Sequence, residues 1–450
     1  MVGRAAGVYG AADGKGRLNL QTLGHASIAL YRDGEAPLLL TDPWLVGSVY
    51  WRSWWLQNYP DEATLDWLAG SAQIYITHEH PDHFHMPSIR RLGSGPDYLF
   101  PALAERGFLG HMAAHGFRAG IVPPGSWRAI GEGVAILSLP LWNDDSLLLI
   151  DTPNALILNF NDAKPLPPVV KAVRRLADRI AKPRILLASY SPASVINSFS
   201  DANGPVMLKS PADYVGYLCT LCDALGAHIY LPFASQASYE RADSLWANEL
   251  RTNFADLERF WGAATHLLPP YTTLALDDLA YYSTAPADYR PAAPATLAIR
   301  TAQRLAAEHA TTLTTADATA LQRKLNLWRF LLWPLFPRGF AFEAGDKALV
   351  YDPRRGRVYL TTAGDYGDFV IAVPPLTLRE ALANDHPTDL GITMFVRIRL
   401  LRRIDPRKVY GLFILFQLDD YGHMRRPGAF LRWLASGLRR SFPRRLPLPR

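Results

Sequence analysis

Nine consecutive residues hold most of the chemistry this chain can be expected to do: Thr77-His78-Glu79-His80-Pro81-Asp82-His83-Phe84-His85. Neutral imidazole and carboxylate are the ligands that zinc, manganese and iron favour. His78 and His80 can converge on one cation, while Asp82 and His83 can serve a second or poise a bound water. The bland alternative is a solvated loop that happens to hold histidines. Spacing, residue types and context together argue against it, because residues 72–77 read as a buried strand that delivers the cluster to a strand end.

The elements around the cluster must hold it in place. Residues 18–30 and 38–41 read as two strands about a turn at Asp33-Gly34, followed by a Trp/Tyr-rich loop over 42–59 and a helix over 62–69. Apolar runs at 134–139, 147–150 and 155–160 predict three strands, and the spacing of Val169, Val170, Val173, Leu176 and Ile180 predicts an amphipathic helix over 168–181. Strands at 184–189 and 228–233 flank a helix around 212–225. This alternation argues an α/β sandwich of sheets covered by helices.

Several side chains at the ends of these elements have roles to weigh. His25 and Asp42 close the first strands and are expected to hydrogen-bond ligand histidines, or else to be satisfied turn residues. Asp162 ends an apolar strand, where a carboxylate has no packing reason to be; the competing role is a helix cap or turn before Pro165. Trp44, Trp54 and Trp55 are expected to wall a substrate pocket, since flat apolar rings stack on sugars and bases, or to plug the loops together. His111 and His115 have i,i+4 spacing but read as a surface pair. The pair Cys219 and Cys222 reads as two structural thiols on a helix.

Composition sets the frame. A chain of 450 residues with 49% hydrophobic and 20% charged residues is expected to fold as two units. These are a metal-binding domain over 1–285 and an α+β region with a basic tail over 286–450, joined by an Ala/Pro-rich linker at 283–294. Strands are expected at 339–343, 348–351, 357–361, 369–373 and near 392–400, with a helix after Thr377. Two cysteines imply no disulfide framework, and neither a signal peptide nor a membrane span is read, so a cytoplasmic location is expected. After Asp420 the chain has eight arginines and no acidic residue. Within that tail, residues 427–442 read as a basic amphipathic helix. It is expected to touch an anionic membrane or an acidic partner, or to pack on its own domain. No nucleic-acid module is recognised.

With these stretches in place, the chain resembles the metallo-β-lactamase fold superfamily and, within it, the CMP-N-acetylneuraminate hydroxylase family. The resemblance is carried by Leu23-Gly24-His25-Ala26, Thr41-Asp42-Pro43-Trp44-Leu45, residues 74–83, Ile157-Leu158-Asn159-Phe160-Asn161-Asp162, Ile229-Tyr230-Leu231-Pro232-Phe233-Ala234 and residues 397–401. It implies a four-layered αββα sandwich, metal-site roles for His78, His80, Asp82 and His83, and a match of Asp162 to the carboxylate that bridges two metals. One or two divalent ions, iron or else zinc or manganese, are the implied cofactors.

The chain also departs from the pattern. A further family histidine aligns with Leu141, which cannot ligate, and the final superfamily histidine is not evident. Among Asn143, Asp144 and Asp145, Asp144 is expected to substitute, by charge and position, with Asp82 and Asp144 as the catalytic carboxylates. The family carries a Rieske domain, and no Cys-x-His…Cys-x-x-His stands in these residues, so an oxygenase would take electrons from a separate donor protein. Three functions follow as expectations. They are iron-dependent hydroxylation of a polar, sugar- or nucleotide-like small molecule; hydrolysis of a phosphoester, lactone or amide with Asp82 as base; and a degenerate site kept for binding.

Overall fold

The computed structural model describes residues 16–103, 107–131, 133–283, 294–424, 426, 428–443 and 445–449. Two large sheets stack face to face. The first runs, in spatial order, Tyr281–Ser283, Thr272–Ala275, Leu18–Leu23, Ser27–Arg32, Leu39–Thr41, Gln73–Tyr75, Asp97–Pro101 and Ala119–Val122. The second runs His266–Leu267, Ile229–Phe233, Arg184–Ser189, Leu156–Asn161, Ser146–Asp151, Val134–Pro140 and Trp127–Gly131.

Period-two alternation explains why the central strands are largely apolar at both odd and even positions. Ile150, Ile157, Ile185 and Leu187 point inward against Leu20, Ile28, Leu30 and Tyr75 of the facing sheet. Their neighbours Leu147, Leu149, Leu156, Leu158 and Leu186 point outward onto helices Pro167–Ile180, Pro211–Leu225 and Phe254–Phe260. Strands buried on both faces leave few positions for a polar side chain. The outer face of the first sheet is covered by Glu62–Ala69, Met86–Leu92 and Phe108–Ala114 through Leu65, Leu68, Ile89, Phe108 and Met112. The result is a four-layered αββα sandwich, the architecture that the resemblance implied.

Helix boundaries follow local chemistry. Asp61 caps Glu62–Ala69 by accepting from the Thr64 amide, and Ser210 with Asp213 forms a reciprocal cap at Pro211–Leu225. One expectation fails early: residues 18–30 are a hairpin, not a single strand. The chain turns at Gly24, whose φ of +52° suits glycine and whose Cβ position would lie 2.8 Å from the Trp44 carbonyl oxygen. That turn sets His25 at the tip of the hairpin.

Parallel pairing in both sheets points strand C-termini the same way: Leu39–Thr41 pairs with Gln73–Tyr75, and Leu156–Asn161 with Arg184–Ser189. Loops at those C-terminal ends are where an α/β sheet places ligands. They carry Asp42, Thr77 and Asp162 within two residues of the strand ends.

A third sheet joins Phe340–Ala344, Lys347–Asp352, Arg357–Thr362, Phe369–Ala372 and Arg397–Leu400 to two strands from far earlier in the chain, Phe199–Asp201 and Gly204–Val206. Residues 392–396, expected to be strand, are irregular and follow a 3-10 turn at Pro387–Gly391. Residues 284–293 of the expected linker lie outside the described residues. A helix over Pro406–Asp420 and another over Ala429–Ser441 close the chain. No helix among the described residues is long and apolar enough to cross a membrane. His115 lies at the exposed end of helix Phe108–Ala114, its Nδ1 2.9 Å from the His111 carbonyl, and Cys222 is buried with its thiol pushed up to about 12 by burial.

One buried imidazole gives the fold an acid limb. His85 Nδ1 lies 2.8 Å from Ser88 Oγ, which itself accepts from the Leu45 and Val46 amides. The Ser88 hydroxyl hydrogen therefore goes to Nδ1, and burial lowers the His85 pKa to about 4. Because the folded value is below the unfolded one, this contribution to stability is whole above pH 6.5 and is lost as pH falls toward 4. At pH 5 the metal-free protein should be ~2 kcal/mol less stable from this group than at pH 8. Urea melts of wild type and His85→Asn should differ in pH dependence by that amount; superimposable pH profiles would remove His85 as the cause.

Candidate metal centre

The histidine loop takes its shape from Asp42 at the end of the neighbouring strand. Asp42 is fully buried; Oδ1 accepts from the Thr77 amide at 2.7 Å and Oδ2 from the Thr77 hydroxyl at 3.0 Å. Its Oδ2 also lies 3.2 Å from His83 Nδ1. That contact directs the His83 Nδ1 hydrogen to Asp42, so Nε2 is the nitrogen a neutral ring would offer to a cation. Thr77 has given its one hydroxyl hydrogen to Asp42, so its oxygen accepts from His78 Nδ1 at 3.0 Å, which leaves His78 Nε2 bare. His80 is fixed from the other side: Tyr421 Oη stands 3.1 Å from Nε2, and Nδ1 turns to within 2.8 Å of His78 Nε2.

Two groups result, and the ligand atoms within each lie within 4.8 Å of one another: His78, His80 and Asp162, and His25, Asp82 and His83. Asp162 Oδ1 stands between them, 3.8 Å from His78 Nε2 and 3.7 Å from His83 Nε2. Asp82 is held by the Tyr50 hydroxyl, which donates to Oδ1 at 2.6 Å; its Oδ2 is 3.3 Å from His25 Nε2 and 3.4 Å from His83 Nε2. Asp162 Oδ1 and His83 Nε2 are buried and have no hydrogen-bond partner among the described residues. Buried polar atoms are seldom left so. A divalent cation between them would satisfy both, and a set of nitrogen and oxygen donors without thiolate is one that iron, manganese or zinc accepts.

The ionisation of the cluster is consistent with that fit. Burial, with the charge on His83, holds His78 well below the usual histidine range, which keeps its lone pair available. Burial opposes a charge on His83 as well, yet Asp82, Asp162 and Asp42 together raise it well above that range, so without a cation Nε2 holds a proton that a cation would displace. Burial and the neighbouring Asp162 push Asp145 well up. Such crowding of carboxylates is what a bound cation relieves.

The cluster faces a cavity of about 240 Å³. Tyr50, Trp54 and Asp145 line it from the sandwich, and Tyr410, Phe413 and Gln417 line it from the helix Pro406–Asp420.

The other residues named from the sequence fall in varied places. His25 faces a carboxylate, Asp82, and not a histidine as expected, because the hairpin turn carries it to the edge of the second group. Trp44 does not reach the cavity: its ring is fully buried, 5.6 Å from His25 and 6.4 Å from His85, and packs behind the site. Trp55 points away too, with the Arg300 guanidinium 4.7 Å above its ring, because alternation along the short strand Trp54–Leu56 sends adjacent rings to opposite faces.

Asp144 is also misplaced by the sequence reading. Its carboxylate is buried, bonded to His423 Nε2 and, at 3.1 Å, to Arg440, so it cannot turn to the centre. Asp145 takes the inward place, 3.5 Å from His78 Nδ1. Leu141 is packed in the core beneath the helices. Tyr50, Lys164 and Tyr421 were not singled out. The helix that lines the cavity was legible in Asp405-Pro406 followed by Val409, Leu412, Phe413 and Phe416 at helical spacing.

No family model matches the chain. A segment of 129 residues is 30% identical to the cytidine monophosphate-N-acetylneuraminic acid hydroxylase of Pongo pygmaeus, covering 28% of this chain and 22% of that protein. The chain thus matches about a fifth of the length of that relative. Among solved structures it is similar to the CmlA beta-hydroxylase, at 16% identity and a TM-score of 0.37 over 58% of this chain and 53% of the other. It is also similar to an isothiocyanate hydrolase from Delia radicum gut bacteria, at 14% identity and a TM-score of 0.41 over 57% and 98%.

Two substitutions separate positioning from ligation. Asp42→Asn should leave the fold intact and weaken manganese or zinc binding by about 10- to 100-fold, measured by calorimetry, since the His83 tautomer is no longer enforced. Asp145→Asn should weaken metal binding with little loss of stability. Asp144→Asn should instead cost about 3 kcal/mol in denaturant melts, by stranding the buried partners Arg440 and His423. A reversal of the two phenotypes would return the inward role to Asp144.

Proposed function

We propose that this protein is a two-metal enzyme that hydroxylates a small polar substrate, sugar- or nucleotide-like, with dioxygen and electrons from a separate donor protein. The observation that carries the reading is the placement of Asp162 Oδ1, without a hydrogen-bond partner and nearly equidistant from Nε2 of His78 and Nε2 of His83. A carboxylate so placed suits a bridge, with His78 and His80 on one side and Asp82, His83 and His25 on the other. Iron there would supply dioxygen activation, whereas zinc or manganese would supply an activated water.

The chain's own part is to orient. Asp42 and Thr77 set the tautomers of His83 and His78, Tyr50 pins Asp82, and Tyr421 turns His80. Ser191, Asn143 and Gln417 offer hydrogen bonds on the cavity wall while Trp54, Tyr410 and Phe413 exclude water. A cavity of about 240 Å³ suits a small polar molecule or one end of a larger one. The partial likeness to a hydroxylase favours this reading, and two free thiols fit a cytoplasmic setting.

Hydrolysis of a phosphoester, lactone or amide is the second reading, favoured by Lys164, which lines the same cavity two residues from Asp162. An ammonium there would stabilise an oxyanion, with Asp82 as the base.

Metal analysis of protein purified without oxygen tests both. About two equivalents of iron, with oxygen uptake on reduction, supports hydroxylation; zinc or manganese supports hydrolysis; no retained metal leaves a binding role. His80→Ala and Asp162→Ala should each abolish metal retention and turnover with an unchanged circular dichroism spectrum. Full activity in either would overturn the assignment.

A further inference from the structure

The helix Ala429–Ser441 is attached to the body through little of its surface. Ala429, Gly437 and Ser441 are buried, with the Gly437 Cβ position 3.5 Å from the Trp142 side chain, and Arg440 reaches in to Asp144. Small residues bring the helix close, and Trp433 packs inward on Trp142 and His423, while the helix's other large apolar side chains take no part in that contact. Those face out: Leu431 is 67% exposed, Leu438 55% and Phe442 63%, with Phe430 and Leu434 also exposed. At about 100° per residue these five fall in one arc of about 120°. Arg439 and Arg432 follow at its edge, and no acidic residue lies beyond Asp420.

A solvated helix places its charged face outward; this one places an apolar arc there and borders it with cations. A groove of about 470 Å³ opens beside the helix, with Leu139, Val169 and Leu446 against Arg439, Arg440 and Arg445. An apolar floor with a guanidinium rim complements an acyl chain below an anionic headgroup. An acidic protein would answer the arginines but not the leucines, and a second copy would answer the leucines while opposing like charges.

We infer that the exposed apolar arc of helix Ala429–Ser441, with its bordering arginines, docks this protein on an anionic lipid surface. The helix lies in the interface plane, with Leu431, Leu434, Leu438 and Phe442 among the acyl chains and Arg432 and Arg439 at the phosphates. The docking is independent of the chemistry at the metal centre. It would also hold the loop at Asp144, bonded to Arg440, close to the lipid surface.

Co-sedimentation of the full chain with vesicles tests this. Binding to phosphatidylcholine vesicles carrying about 30% phosphatidylglycerol should exceed binding to pure phosphatidylcholine by about tenfold and weaken in about 0.5 M salt. The double variant Leu431→Glu/Leu438→Glu should lose that binding by at least about tenfold, with melting temperature and metal content unchanged. Arg432→Gln/Arg439→Gln should retain weaker binding with less preference for the anionic vesicles. Wild type that ignores both vesicle types, or binding that survives the leucine substitutions, would overturn the inference. So would a wild-type dimer in light scattering that the leucine substitutions convert to monomer, since a second copy would then be the occupant.

Discussion

A carboxylate oxygen held in a buried cleft between two imidazole nitrogens, with no hydrogen donated to it, is the constraint around which this molecule is arranged. Asp162 Oδ1 is that oxygen, and His78 Nε2 and His83 Nε2 are its neighbours. Leaving a buried acceptor oxygen without a donor costs about 1–3 kcal/mol, more than one surface contact recovers. The strand Leu156–Asn161 nevertheless delivers it there. Asp42 and Thr77 spend their own hydrogen bonds on the Nδ1 sides of His83 and His78, which turns both Nε2 atoms toward it. A divalent cation would resolve the conflict, because it would draw the imidazole nitrogens and the carboxylate into a coordination sphere.

The centre is also a meeting point between the sandwich and the C-terminal elements. Tyr421 reaches His80 from just beyond the helix Pro406–Asp420. That helix end is pinned: Lys324 Nζ contacts Asp419, Asp420 and Asp385, and Asp420 Oδ2 accepts from the Thr388 amide at 2.9 Å. A second tie runs from Asp144 to His423 and Arg440, linking the loop after Leu141 to the last helix. Residues more than three hundred positions apart thus set the orientation of one imidazole and close one cavity.

What the sequence reveals and conceals follows from the range of the interaction. The αββα architecture was legible because strands buried on both faces must be apolar over most of their length, and helices such as Pro167–Ile180 carry a clear buried stripe. The histidine loop was legible because its ligands are neighbours in the chain, and Asp162 because a carboxylate ending an apolar strand has no packing purpose. The choice between Asp144 and Asp145 was not. It is decided by which carboxylate His423 and Arg440 capture, and neither partner is local. Trp44 and Trp55 were misread for a similar reason: ring type speaks to stacking, but strand alternation and the hairpin at Gly24 decide which way a ring points. Tyr50 and Tyr421 carried no motif, since a single hydroxyl becomes a positioning group only when the fold brings a ligand to it.

The central claim is that a cation sits on each side of Asp162, and the most direct measurement is crystallographic. Crystals of the full chain grown with manganese should give anomalous difference maps, at the manganese edge, with two peaks flanking the Asp162 carboxylate. One peak should be bounded by His78 and His80 and the other by His83 and Asp82. Maps with no peak at Asp162, or with peaks only at surface sites such as His111 and His115, would contradict the account.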